Sequence, residues 1–294
     1  MWIAASRPRT LPAAIAPVLV GSAAAVYESG GDEFRWGAFA AALLGSVFIQ
    51  IGTNLVNDYS DAKRGADTVD RLGPVRVTAS GLAAPRSVLV ATWVAFALAV
   101  AAGAYLATVA GPVILAVGAL SILAGVLYTG GPRPYGYAGL GEPFVFVFFG
   151  LVAVNGSYYV QLEELAWLPF ALSVSVGCLS TAILVVNNIR DIDTDRRAGK
   201  RTLAVRVGRR AARGIYAALL VLALFVALPA LLIAEAPWWS GLLVGAVWVL
   251  LSRAPARAVA RRTDGPSLNA ALAQTGALLG AFSIAIAVGL LAGA

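Results

Sequence analysis

Two clusters of acids and amides stand where long apolar runs end. The first reads Asn54-Leu-Val-Asn57-Asp58-Tyr59-Ser-Asp61 and continues through Lys63 and Arg64 to Asp67 and Asp70. The second reads Asn187-Asn188-Ile-Arg190-Asp191-Ile-Asp193-Thr-Asp195, followed by Gly199-Lys200-Arg201-Thr202-Leu203. Carboxylates beside a hydrocarbon phase are costly unless cations meet them. Converging carboxylates also resist ionising together until they are neutralised. On a helix, residues three, four and seven apart share a face. Asn54, Asn57 and Asp61 have that spacing, and so do Asn188, Asp191 and Asp195. Oxygen ligands without imidazole or thiolate suit Mg²⁺, which keeps several waters and takes substrate phosphates as further ligands.

Asp58 and Asp193 fall off those faces, which leaves capping, pairing with arginine, or binding through water open to them. Lys63, Arg64, Arg71 and Arg76 follow the first cluster, and Arg190, Lys200 and Arg201 surround the second. Such cations are the complement of a diphosphate bridged to carboxylates by Mg²⁺. Ordinary basicity of cytoplasmic loops competes as an account of each of them. It does not account for the acids Asp58, Asp61, Asp67, Asp70, Asp191, Asp193 and Asp195, which a metal site explains.

The elements that carry these clusters are membrane spans. The chain is 60% hydrophobic and 13% charged, with a mean hydropathy of +0.81, far from the balance of a soluble domain. Apolar runs of spanning length fall at about 11–27, 36–56, 87–110, 112–128, 143–160, 165–189, 215–233, 238–252 and 268–292,. The expected fold is all-α, a bundle of about nine transmembrane helices. The acidic motifs close the second and sixth spans, as expected of two four-helix units with a ninth helix added. Residues 1–294 are read as one integral-membrane domain.

Charge placement orients that bundle. With the N-terminus cytoplasmic, the outer loops hold Arg35 as their one basic residue, against Glu28, Asp32, Glu33, Glu163, Glu164 and Glu235. The other lysines and arginines fall on the N-terminal tail and inner loops, as the positive-inside rule requires. The net charge of +7 is therefore a topology signal and gives no reason to invoke nucleic acid. Nine spans put the C-terminus outside. Arg7, Arg9, an apolar stretch and Ala23-Ala24-Ala25 resemble a cleavable signal, but that run is long for one and the charge alternation begins with it. Cys178 is the single cysteine and lies within a span, and there is no histidine to serve as base, haem ligand or zinc ligand,.

The whole pattern resembles the UbiA superfamily of intramembrane aromatic prenyltransferases. That resemblance implies nine helices, a prenyl diphosphate held through Mg²⁺ between two Asp-rich motifs, and transfer to an aromatic acceptor. The family's first motif places one Asp four residues after an Asn and another eight after it. Asn57 and Asp61 fit, but the next position is Gly65 and the third acid comes at Asp67. This longer spacing resembles the naphthoate-prenylating branch that makes menaquinone. Further segments agree: Arg7-Pro-Arg-Thr-Leu11, Asp70-Arg71-Leu-Gly-Pro74-Val-Arg76, and Tyr128-Thr-Gly-Gly-Pro-Arg133-Pro-Tyr135-Gly-Tyr137 with Gly141-Glu142.

The resemblance implies transfer of a polyprenyl group to 1,4-dihydroxy-2-naphthoate with loss of CO₂, in a bacterial plasma membrane with the active-site loops cytoplasmic. It implies Asn57, Asp61, Asp67, Asn188, Asp191 and Asp195 as the metal set, and Asp61, Asp191, Arg190, Lys200 and Tyr128 as catalytic. Asn54, Asp58, Lys63, Arg64, Arg71, Arg76, Arg133 and Arg201 are the expected substrate contacts. Tyr59, Tyr128, Tyr135 and Tyr137 could shield an allylic cation with their ring faces or serve as interfacial anchors. Gly21, Gly45, Gly118, Gly125 and Gly150 are readable as close helix packing or as room for the prenyl tail. Hydroxybenzoate, homogentisate and haem are alternative acceptors. A secondary transporter would place its carboxylates nearer mid-membrane. The Asp-Gly…Ala-Arg signature of CDP-alcohol phosphatidyltransferases is missing. Oligomeric state is not legible.

Overall fold

In hydrocarbon a chain must satisfy its own backbone hydrogen bonds, and a helix does so within one segment. The computed structural model describes residues 2–31, 34–66, 72–73 and 75–294. Its apolar helices are α1 (Pro12–Ser29), α2 (Trp36–Lys63), α3 (Pro85–Ala110), α4 (Val113–Thr129), α5 (Gly141–Leu162), α6 (Trp167–Arg190), α7 (Leu203–Ile233), α8 (Trp238–Arg261) and α9 (Gly265–Leu291). Among the described residues eight are long and apolar enough to cross a membrane, and α4 is the shorter ninth. α5 is α-helical at both ends with a π-helical stretch, Phe146–Val152, between them. α7 kinks at Gly208, whose φ of 81° is open to glycine,.

Several helices run past their apolar stretches, and this places the motifs. α2 continues to Lys63, so Asn54, Asn57 and Asp61 do share one continuous helical face. It stops where Gly65 turns left-handed, at φ 65°,. The second cluster departs from the expected geometry. α6 ends at Arg190, Asp191 leaves the helical conformation at φ −93°, ψ 7°, and a short helix, Ile192–Arg197, begins after it. Asn188, Asp191 and Asp195 are therefore brought together across a break in the helix.

α2 packs along α3, α6 along α7, and α9 along both α8 and α1. Shifting α1–α4 by the separation of Asp61 and Asp191 overlays them on α5–α8, which is the two-unit plan. The ninth helix is no appendage. Leu268, Leu278, Leu279, Phe282 and Leu290 of α9 are fully buried in the main core with Val20, Leu172, Leu179 and Leu220. Helix association in lipid depends on close packing, which small residues allow. A Cβ on Gly150 would lie 2.7 Å from the Gly177 Cα, and one on Gly21 would strike the Val154 carbonyl. Those two glycines are packing positions. Gly118 faces open space.

A cavity between the two acidic motifs

A cavity of about 360 Å³ runs into the bundle from the ends of α2 and α6. Its polar end carries Asn57, Asp61, Arg76, Asn187, Asn188, Asp191, Asp195 and Lys200. Deeper, the wall turns apolar at Leu106, Ile114, Val117, Phe148, Val152 and Val160, with Gly103, Gly118 and Gly156 giving it width. One end can accept a charged group and the other a hydrocarbon.

Asp61 is the most heavily engaged acid. It is 1% exposed, and a carboxylate so buried needs partners to stay charged. The Arg76 guanidinium lies 3.1 Å from Oδ2 and the Lys200 Nζ 3.2 Å from Oδ1. The Tyr137 hydroxyl donates to Oδ1 at 2.6 Å. Lys200 also sits 4.6 Å from the centre of the Tyr137 ring, a cation–π contact,. Gly199, at φ 73°, makes the turn that delivers Lys200, whose N–H then donates to the Asp195 carbonyl at 2.8 Å. The Arg201 N–H donates to the Tyr137 carbonyl at 2.9 Å, tying the 129–142 loop to the second motif.

Asp191 is held differently. Arg190 Nε donates to its Oδ1 at 2.8 Å and Nη2 to its Oδ2 at 2.6 Å, a bidentate fork,. Nη1 of the same arginine donates to Asn269 Oδ1 at 2.7 Å, and Nη2 donates also to Asn187 Oδ1 at 2.8 Å. Arg190 is 2% exposed and does not line the cavity. Expected to touch substrate, it instead stands behind Asp191, because its donors are engaged in holding the motif's own oxygens. The amides are fixed as well. Asn188 Nδ2 donates to Glu142 Oε1 at 2.8 Å, and the Thr129 hydroxyl donates to Asn57 Oδ1 at 2.7 Å.

The remaining expected site residues divide by position. Asn54 and Arg76 line the cavity. Asp58 does not: its two oxygens accept from the Val77 and Thr78 N–H groups at 3.0 and 2.9 Å, so it pins the loop that carries Arg76. The structure thus corrects its expected substrate role. Lys63, Arg64, Arg133 and Arg201 are exposed and outside the cavity wall, Arg64 donating to the Gly131 carbonyl. Asp193 pairs with Arg209 at 3.1 Å. Asp67, Asp70 and Arg71 lie outside the described residues.

Of the tyrosines, Tyr128, Tyr135 and Tyr137 line the cavity, whereas Tyr59 packs in a separate cluster with Leu55, Val77 and Val88. Tyr128 meets Tyr135 edge to face at 5.5 Å, and Tyr135 stacks on Phe144 at 4.0 Å. The Tyr135 hydroxyl donates to the Ala124 carbonyl at 2.8 Å, and burial raises its pKa above the ordinary tyrosine value. Gly136 is required beside them, since a Cβ there would lie 2.6 Å from the Tyr128 carbonyl.

Among the wall residues that sequence reasoning missed are Arg7, Thr10 and Gln50. The Thr10 hydroxyl accepts from Gln50 Nε2 at 3.1 Å and Asn54 Nδ2 at 3.2 Å, and donates to the Arg7 carbonyl at 3.0 Å. Arg7 holds a left-handed backbone, φ 52°, which marks a place worth testing for function. Gln50 was detectable, because it precedes Asn54 by four residues and extends the same face of α2. The N-terminal pair belongs to no such periodicity.

The donor set fits a hard cation. Asn57, Asp61, Asn188, Asp191 and Asp195 offer oxygen to one cavity, with neither histidine nor thiolate among its lining residues,. Among the described residues no group of three or more His, Cys, Asp or Glu is gathered closely enough to hold an ion alone. Waters and phosphate oxygens would have to complete the coordination, as is usual for Mg²⁺.

Comparison with known proteins gives a consistent set. Residues 14–274 match the UbiA prenyltransferase family. The chain is 45% identical over 286 residues to the 1,4-dihydroxy-2-naphthoate octaprenyltransferase of Mycobacterium tuberculosis, covering 97% of this chain and 95% of that protein. It is 37% identical to the Escherichia coli protein of the same name, covering 95% and 91%. Among solved structures, the Archaeoglobus fulgidus UbiA homolog bound to GPP and Mg²⁺ superposes with a TM-score of 0.69 at 14% identity over 99% of both chains. The apo Aeropyrum pernix UbiA homolog gives 0.69 at 17% identity, over 96% of this chain and 97% of its own.

Proposed function

The chain belongs to the UbiA prenyltransferase family, and we propose that it transfers a polyprenyl group from polyprenyl diphosphate to 1,4-dihydroxy-2-naphthoate, with Mg²⁺ at the acidic end of the cavity. It is a multi-pass membrane enzyme that prenylates an aromatic acceptor. The observation that carries the substrate reading is the cavity's two-ended chemistry, with Asp61, Asp191, Asp195 and Lys200 at one end and hydrocarbon at the other. The choice of acceptor is supported by the naphthoate prenyltransferases that match nearly the whole chain.

Asn57, Asp61, Asn188, Asp191 and Asp195 would hold the cation. When bound, Mg²⁺ supplies positive charge against the diphosphate as it departs. Lys200 and Arg76, paired with Asp61 in the structure, add charge at the same end. Such preorganised charge lowers the cost of breaking the allylic C–O bond, whose electron pair leaves on the diphosphate. The ring carbon supplies the pair for the new C–C bond. The carboxylate then leaves as CO₂, returning its bonding pair to the ring and giving the reduced diol, demethylmenaquinol, which becomes demethylmenaquinone only through a separate two-electron oxidant outside this reaction. No protein nucleophile takes part. Tyr128, Tyr135 and Tyr137 line the cavity and would offer electron-rich rings to the cationic carbon, while the apolar wall would keep water from intercepting it.

We infer from the loop charges that the motif loops and the N-terminus face the cytoplasm and the C-terminus the outside,. Support comes from the opposite loops, where Arg35 is the one basic residue and pairs with Glu163 at 2.8 Å,. The deciding experiment incubates the purified chain with Mg²⁺, a polyprenyl diphosphate and labelled aromatic acids. A prenylated, decarboxylated naphthol is the expected product. Prenyl transfer to hydroxybenzoate or homogentisate instead would overturn the acceptor assignment.

A further inference from the structure

Asn269, on α9, belongs to neither acidic motif and does not line the cavity. Its amide nevertheless joins the second motif to the segment that follows the first. Oδ1 accepts from Arg190 Nη1 at 2.7 Å, and Nδ2 donates to the Leu72 carbonyl at 2.8 Å. The two bonds fix the amide's orientation, since an oxygen facing Leu72 or an NH₂ facing the guanidinium would lose both. On one side, Arg190 forks onto Asp191. On the other, Leu72 lies four residues before Arg76, whose guanidinium meets Asp61. Arg190 and Asn269 thus connect Asp191 to Leu72, four positions along the chain from the Arg76 that holds Asp61.

α9 is a suitable anchor for such a link. Its flanks at Leu268, Ala271 and Leu272 are buried in the main core, and a Cβ on Gly265 would crowd Leu72 at 3.1 Å. The helix therefore cannot shift without disturbing the loop. We propose that Asn269 is a positioning residue that sets the two aspartate motifs at the separation the diphosphate requires, which gives the ninth helix a part in the reaction. This rests on the reading that Asp61 and Asp191 serve one diphosphate.

The test compares Asn269→Asp and Asn269→Leu with the wild-type chain. An aspartate still accepts from Arg190 but cannot donate to Leu72, whereas leucine does neither. If both bonds matter, Asn269→Leu lowers kcat/KM for polyprenyl diphosphate by about tenfold or more, the scale of a hydrogen bond to a charged group, and Asn269→Asp by about threefold or more, the scale of a neutral one. KM for the aromatic acceptor stays near the wild-type value. The thermal stabilisation conferred by Mg²⁺ with a prenyl thiodiphosphate, which cannot turn over, also shrinks in both.

Wild-type behaviour of Asn269→Asp in both measurements overturns the proposal, because Asn269 would then only be satisfying a buried arginine. If the leucine variant fails to accumulate in the membrane, the aspartate variant decides alone. Failure of the underlying reading shows separately, as normal turnover in Asp61→Asn and Asp191→Asn controls.

Discussion

Lys200 of the second motif reaches Asp61 of the first, Nζ to Oδ1 at 3.2 Å, while both side chains are buried. The contact crosses between the two halves of the bundle. The lysine and the carboxylate neutralise one another. Under the proposed function the pair would exchange partners when diphosphate and cation bind, Lys200 toward phosphate and Asp61 toward metal.

From this arrangement, Asp61→Asn should give an inserted chain whose turnover falls by roughly 10²-fold or more, the scale of losing a key charge-stabilising contact. Asp191→Asn should behave alike. Prenyl transfer measured in membranes with matched protein content reads the effect. Near-normal rates in both variants would sink the metal-site assignment.

Arg190→Lys tests the hold on Asp191. A lysine keeps the charge but cannot reproduce the fork or reach Asn187 and Asn269 together. Turnover should drop by about tenfold or more, with little change in KM for the acceptor. An unaltered kcat would show that Asp191 keeps its place without the fork.

Asp58→Ala removes the acceptor for two backbone N–H groups, at Val77 and Thr78. Its leading effect should be on stability, about 1–3 kcal/mol for buried groups left without partners. A lowered thermal midpoint and faster proteolysis between Arg76 and Leu82 are the measurements. Unchanged stability with lost activity would restore Asp58 to direct substrate contact.

Gly118 separates packing from passage. It lines the cavity with nothing near a prospective Cβ, so Gly118→Phe should fit the fold and narrow the bore. Long polyprenyl donors should then be used poorly while a short prenyl diphosphate is still accepted. Equal use of both donors would mean that the tail takes another course.

Chelation of divalent ions should abolish transfer, and Mg²⁺ should restore it. Ca²⁺ should restore much less, because it favours more ligands at longer distances. Activity that survives exhaustive chelation would remove the cation from the scheme.

Much of the fold was legible along the chain because hydrocarbon imposes a simple rule: a spanning segment must be helical and apolar. The nine runs, the two-unit plan and the face shared by Asn54, Asn57 and Asp61 all follow from local pattern. The break at Asp191 did not, since it arises where Arg190 turns back onto its own neighbour and onto Asn269 of a distant helix. The places of Asp58 and Arg190 outside the cavity wall are hidden from the sequence for the same reason. An acid or a cation in a motif looks alike whether it faces substrate or supports the wall.

The sequence by itself determined the solvent, the helix count, the family and the two acidic motifs, because hydropathy and residue spacing are written along the chain. Only the tertiary structure decided which charges line the cavity and which stand behind it. Burial makes every charge find a partner, and those partners, Lys200 for Asp61 and Asn269 for Arg190, come from segments far apart in sequence.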